Sequence, residues 1–192
     1  MTLPPDAALI IIDVQRAFDD PSWGRRNNLF AEANVAKLIA AWRQTARPLF
    51  HVQHRSTRPA SLFRRELPGF QVKPEATPLP DEPVLYKSVN SAFIGTDLEE
   101  RLRAAGVNSV IIAGITTDHC VSTTTRMAGN LGFDTYVVSD ATATFERWGP
   151  DGVHYGAQQM HDTALASLNG EFARVVDTED ILAMLPSVAQ PG

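Results

Sequence analysis

Ser109-Val-Ile-Ile-Ala-Gly-Ile115 runs without a single charge into Thr116-Thr-Asp-His-Cys120. Small and β-branched residues in unbroken succession read as a strand buried on both faces, because a strand with one wet face alternates apolar and polar. A second such run, Ala7-Ala-Leu-Ile-Ile-Ile12, ends at Asp13. Outward from these two, Leu49–His54, Val84–Lys87, Thr135–Ser139 and Ala173–Asp177 also read as strands. The segments between them have helical spacing: residues 30–47 with Val35, Leu38, Ile39 and Trp42 before Pro48, residues 97–105 before Gly106, residues 119–131 before Gly132, and residues 153–168. Strands alternating with helices predict an α/β fold of three layers, αβα, around a six-stranded, mostly parallel sheet. The 192 residues suit one domain, expected over 1–185, with a tail at 186–192 expected to fray.

Composition removes whole classes of function. An apolar fraction of 44% with 20% charged residues is that of a globular protein rather than a disordered one. Seventeen scattered Lys and Arg against 22 Asp and Glu, net charge −5, leave no basic footprint for nucleic acid. No run approaches the roughly 18–20 apolar residues of a membrane span. Met-Thr-Leu-Pro-Pro-Asp lacks the basic start of a secretion signal, and the single cysteine, Cys120, fits a reducing compartment. The expectation is a cytoplasmic protein that acts on a small molecule.

Two connections, 14–29 after the first strand and the proline-rich 55–83 after the second, exceed the roughly 12–15 residues usual in a compact domain. Both leave the carboxyl ends of strands, where open α/β sheets bind ligands. To that edge the first strand brings Asp13, the third Lys87, and the fourth, through a turn, Cys120. A cysteine near a helix N-terminus beside an ammonium gains thiolate character, so its pKa is expected below the free value of about 8.5, with Asp13 opposing. A carboxylate at the same place can take the thiol proton and return it to a leaving group. Each residue also has an ordinary reading: Cys120 as a small core hydrophobe, Asp13 as a turn residue, Lys87 as a solvated cation.

The words around them are more specific. Ile11-Ile-Asp-Val-Gln-Arg-Ala-Phe18, Tyr86-Lys-Ser-Val-Asn-Ser-Ala-Phe93 and Ala113-Gly-Ile-Thr-Thr-Asp-His-Cys-Val121 resemble the three signature segments of the isochorismatase-like cysteine hydrolases, and Ser139-Asp-Ala-Thr142 also matches. The resemblance implies a sheet order of 3-2-1-4-5-6, a catalytic triad of Asp13, Lys87 and Cys120, and a cis peptide at Ile115–Thr116. It also implies an oxyanion hole from the Thr116 and Cys120 N–H groups, and homodimers or homotetramers. The reaction it implies is metal-independent hydrolysis of a C–N bond in a small amide, carbamoyl or ureido compound through a thioester. The alternatives are hydrolysis of an enol ether, as in true isochorismatases, which act by acid catalysis and lack the nucleophilic Cys, and a non-catalytic binding protein of the same fold.

No cofactor is expected. His51 and His54, three apart on a strand, point to opposite faces, and the Asp-x-His element of the metal-binding nicotinamidase branch is missing from His51-Val-Gln-His-Arg-Ser56. No glycine-rich loop follows the first strand to admit a dinucleotide or a triphosphate. For substrate contact the sequence offers Gln15, Phe18, Trp23, His54, Phe93, Thr117 and Trp148, the aromatic residues equally readable as core and His54 as structural. The charges of the second long loop nearly balance, which reads as a solvated lid.

Overall fold

The computed structural model describes residues 2–186. Among the described residues, eight strands and five α-helices follow one another as β1 (Ala8–Ile12), α1 (Ala31–Gln44), β2 (Leu49–His54), β3 (Val84–Lys87), α2 (Leu98–Ala104), β4 (Ser109–Ile115), α3 (Ser122–Asn130), β5 (Asp134–Ala143), β6 (Arg147–Trp148), β7 (His154–Tyr155), α4 (Ala157–Leu168), β8 (Arg174–Val176) and α5 (Thr178–Ala183). Six of the strands form one sheet in the order β3-β2-β1-β4-β5-β8, each neighbour pair parallel. This is the order 3-2-1-4-5-6 with β8 as the sixth strand. Residues 187–192 of the expected tail lie outside the described residues.

Period-two alternation divides the central strands between two cores. Ala8, Ile10 and Ile12 of β1 with Val110 and Ile112 of β4 pack against Leu98 and Leu102 of α2, Ala128 of α3 and Leu165 and Leu168 of α4. Leu9, Ile11, Ile111 and Ala113 pack on the other face against Val35, Leu38, Ile39 and Trp42 of α1 and Ile181 of α5. The sandwiching explains why β1 and residues 110–115 of β4 carry no polar side chain.

From β1 the chain crosses to β2 on one side, while β4 lies on the other, so the carboxyl ends of β1 and β4 border the crevice of a doubly wound sheet. The approach there is close. Ile12 lies in register with Gly114, whose φ is +129°, and a Cβ on Gly114 would stand 2.0 Å from the Ile12 carbonyl oxygen. Only glycine permits β1 to deliver Asp13 at this spacing.

The long connections differ from expectation. Arg16 N–H donates to the Gln71 carbonyl at 2.8 Å and Lys73 N–H to that of Val14 at 3.0 Å, so the two loops bind each other. Lys73 is buried, its ammonium 2.5 Å from Asp19 and 2.8 Å from Glu32. Glu32 also takes a two-pronged bond from Arg26, and these cations hold its carboxyl down at about 2 against the desolvation that opposes them. The stretch expected as a solvated lid is in this part a wall of the fold, because its balanced charges pair inward. The helix expected over 153–168 starts only at Ala157; His154 and Tyr155 instead pair with Arg147 and Trp148 as a hairpin, and His154 meets Glu146 at 3.1 Å. No helix among the described residues is long and apolar enough to cross a membrane.

Candidate active site

Three strand ends converge. Asp13, immediately after β1, has φ +51°, a conformation costly for most side-chain-bearing residues but tolerated by Asp. Lys87 closes β3 and is 1% exposed. Cys120 sits in a π-helical turn, Thr117–Val121, between β4 and α3, after a cis Ile115–Thr116 peptide. The Lys87 ammonium lies 2.6 Å from Asp13 Oδ2, 3.3 Å from Cys120 Sγ and 3.2 Å from His54 Nδ1. It spends its donors on an acid, a thiol and an imidazole. The second oxygen of Asp13, Oδ1, is buried without a hydrogen-bond partner among the described residues.

These distances decide protonation. An ammonium only donates, so His54 Nδ1 accepts and its proton is on Nε2. Burial, with Lys87 adding to it, holds His54 below the usual imidazole value, hence neutral at pH 7. Cys120 corrects the expectation of an acidic thiol. Burial pushes it well above the usual thiol range, the Asp13 charge pushes the same way, and Lys87 offsets only part. The reason is that Lys87 is already matched by Asp13 at contact distance, so little positive potential is left to offset desolvation of a sulfur anion. At rest Cys120 is a thiol.

Asp13, His54 and Cys120 each present a ligand atom within 4.8 Å of the others, the spacing of a metal site. The Lys87 ammonium contacts all three, however, and a cation already occupies what a metal would need. The donor set does not fit a metal while Lys87 is charged.

Of the residues expected at the substrate, His54 alone lines the large cavity at this edge, which measures about 730 Å³. Gln15 is fully engaged elsewhere: its amide donates to the carbonyls of His54 (3.1 Å) and Phe70 (2.9 Å) and accepts from His54 N–H (2.8 Å), tying the first loop to β2 and the second loop. Phe18 is buried in an aromatic cluster with Trp23, Phe63 and Phe145. Trp23 donates its indole N–H to the Ala17 carbonyl at 2.8 Å. Phe93 stacks on Phe133 against the α2–α3–α4 core. Thr117 is wholly buried, its hydroxyl 2.9 Å from His161 Nδ1 on α4, a bond that holds the turn bearing Cys120. Trp148 is 72% exposed on the β6–β7 hairpin, beside a separate groove. For Gln15, Phe18, Phe93 and Thr117 the apolar or hydrogen-bonding capacity was used inward, whereas half-buried Trp23 also lines a groove with Ala60 and Ser61, which border the main cavity. Sequence position at a strand edge does not tell which way a side chain turns.

What lines the cavity instead is mostly polar: Ser56, Arg58 and Ser61 from the second loop, Ser88 and Asn90 after β3, and Thr123 on α3. Asn90 Oδ1 is 3.9 Å from Cys120 Sγ. A signal for Asn90 was present, since it stands three residues beyond Lys87 in the same motif. Nothing in the spacing of 55–83 singles out Arg58 from its neighbouring arginines.

A doubly wound sheet carrying this carboxylate, ammonium and thiol at its switch point defines the class: the chain belongs to the isochorismatase family of hydrolases, residues 7–180 matching the Isochorismatase domain. It is 48% identical over 175 residues to YrdC, an isochorismatase family protein of Bacillus subtilis, covering 91% of this chain and 94% of the relative. A crystal structure of an isochorismatase-family protein from Chromobacterium violaceum superposes with TM-score 0.95 at 43% identity, covering 98% of both chains. The ureidoacrylate amidohydrolase RutB of Pseudomonas syringae is 27% identical over 229 residues, covering 98% of this chain and 87% of the relative.

Proposed function

We propose that this protein is a metal-independent cysteine amidohydrolase that cleaves the C–N bond of a small amide, carbamoyl or ureido compound. The observation that carries the reading is the buried Lys87 ammonium bonded at once to Asp13 and Cys120, with an Asp13 carboxylate oxygen within 4.8 Å of the thiol sulfur. Similarity to an amidohydrolase supports it. Because Cys120 rests as a thiol, deprotonation accompanies attack. The S–H proton passes to Asp13 as Sγ bonds to the substrate carbonyl carbon, and the C=O pair moves onto oxygen. The Thr116 carbonyl accepts from His119 and Val121 N–H, at 3.2 and 3.1 Å, and passes over the Cys120 N–H between them. That N–H and the Thr116 N–H are the donors assigned to the oxyanion, each worth about 2.7–4 kcal/mol of barrier. Collapse breaks the C–N bond, and the departing nitrogen takes the proton from Asp13. Water then attacks the thioester, gives a proton to Asp13, and the carboxylic acid leaves as Sγ recovers its proton. Lys87, bonded to Asp13 at 2.6 Å and to Sγ at 3.3 Å, keeps the two reacting groups in place through both steps.

The test is a panel of small amides, carbamoyl and ureido compounds with intact-protein mass spectrometry of quenched turnover. The reading expects an acyl adduct on Cys120 and loss of hydrolysis in Cys120→Ala and Cys120→Ser. More than a few per cent of activity remaining in Cys120→Ala sinks the covalent mechanism.

A further inference from the structure

We infer that the substrate carries an anionic group, a carboxylate or its equivalent, a few bonds from the scissile carbonyl, and that Arg58 is the residue that selects it. The inference rests on the amidohydrolase reading for where the carbonyl lies and adds what the other end of the substrate is. Among the residues that line the cavity, Arg58 is the one that holds a full charge at neutral pH. His54 is neutral, and Asp13 and Lys87, which do not line the cavity, pair with each other at 2.6 Å. The cavity of an acidic protein, net −5, therefore presents a positive end. Arg58 makes no ion pair among the described residues, and neither do Arg16, Arg25, Arg47, Arg55, Arg65 and Arg126; what sets Arg58 apart is that it lines this cavity. Its charge reaches the reacting edge, being one of the influences that lower His54.

The loop beneath Arg58 is built rather than loose. Ser56 N–H donates to the Phe63 carbonyl at 3.1 Å, Ser61 N–H to the Arg58 carbonyl at 3.0 Å, and Arg58 N–H to Ser56 Oγ at 3.1 Å. Phe63 anchors this loop in the aromatic cluster, its ring edge-on to His54 at 5.3 Å. The guanidinium thus stands on a fixed backbone at the rim, with a fork of donors matched to a carboxylate. Ser56, Ser61, Ser88 and Thr123 line the cavity with it, beside Ala60, Val89 and Ile94.

The experiment compares matched ligands of equal length: malonamate, succinamate and glutaramate against their neutral diamides and against β-alaninamide, a cationic amide. Hydrolysis is measured for the parent, Arg58→Gln and Arg58→Glu. In parallel, binding of the same compounds and of succinate and glutarate is read by thermal shift and calorimetry in Cys120→Ala, with and without Arg58→Gln. The inference expects an amido acid to be preferred, with KM raised about tenfold to a hundredfold in Arg58→Gln, kcat within about threefold, and the diamides unchanged. Arg58→Glu should shift preference toward the cationic amide. Equal handling of amido acids and diamides by the parent, or an Arg58→Gln protein indistinguishable from it, overturns the inference while leaving the amidohydrolase reading intact. Arg58-dependent binding of carboxylates without hydrolysis of any amide keeps the inference and refutes the reaction. Absence of both binding and hydrolysis across the carboxylate series overturns the inference as well.

Discussion

Replacing Asp13 by Asn separates thiol reactivity from catalysis. The substitution removes a negative charge within 4.8 Å of Cys120 Sγ and leaves the Lys87 ammonium, 3.3 Å from sulfur, without its acid. At an effective dielectric of about 20, unit charges at that separation repel by about 3.5 kcal/mol, which is a few hundredfold in the thiolate population. Burial continues to disfavour the anion, so the thiol still titrates high, only less so than in the parent. Iodoacetamide should therefore label Cys120 slowly in the parent at pH 7 and faster, by up to about a hundredfold, in Asp13→Asn. Hydrolysis should move the opposite way and fall by about 10²–10⁴-fold, since the proton acceptor is gone. The variant leaves a buried ammonium unpaired and should unfold about 3–5 kcal/mol more easily in urea. The assay is the alkylation rate against pH beside turnover of the best substrate. An alkylation rate equal to or below the parent's would refute the reasoning, because it would mean Asp13 does not hold the thiol protonated.

Exhaustive dialysis against a chelator should leave activity unchanged, because Lys87 already contacts the three atoms a metal would need; stoichiometric zinc or iron whose removal abolishes activity would contradict this. Glu32→Gln should cost about 2 kcal/mol at pH 7 by thermal or urea unfolding, allowing for solvent screening. Glu32 has its folded pKa depressed from 4.5 to about 2, so its contribution is present above pH 4.5 and is lost as pH falls toward 2. The two proteins should converge across that window. His161→Ala, which frees the Thr117 hydroxyl, should destabilise by about 2–4 kcal/mol and lower kcat more than it alters KM, because the turn carrying Cys120 loses its tie to α4. Gly114→Ala should cost about 3 kcal/mol or more, or yield insoluble protein, since its Cβ meets the β1 backbone at 2.0 Å and φ is +129°.

The sequence by itself determined the sheet. Continuous apolar runs at 8–12 and 109–115 mark strands buried on both faces, and the helical spacing between strands marks a parallel αβα sheet. The placing of Asp13, Lys87 and Cys120 at strand ends was readable from the same pattern, whereas the strand order came only with the resemblance of the motifs to a known family. What tertiary structure decided was direction and environment. Whether Gln15 or Phe93 turns toward a substrate or inward depends on partners 39 to 55 residues away, and Phe18 packs on Phe63 and Phe145, 45 and 127 residues away, none of which periodicity encodes. The hairpin at 147–155 and the inward pairing of Lys73 were hidden for the same reason: a two-residue strand and a balanced charge run have no local signature. The state of Cys120 shows the limit most plainly. Position on a helical turn beside a lysine predicts a thiolate. The opposite follows once Lys87 is seen 2.6 Å from Asp13 and the sulfur is seen buried, because desolvation and pairing are sums over the whole fold and not properties of a motif.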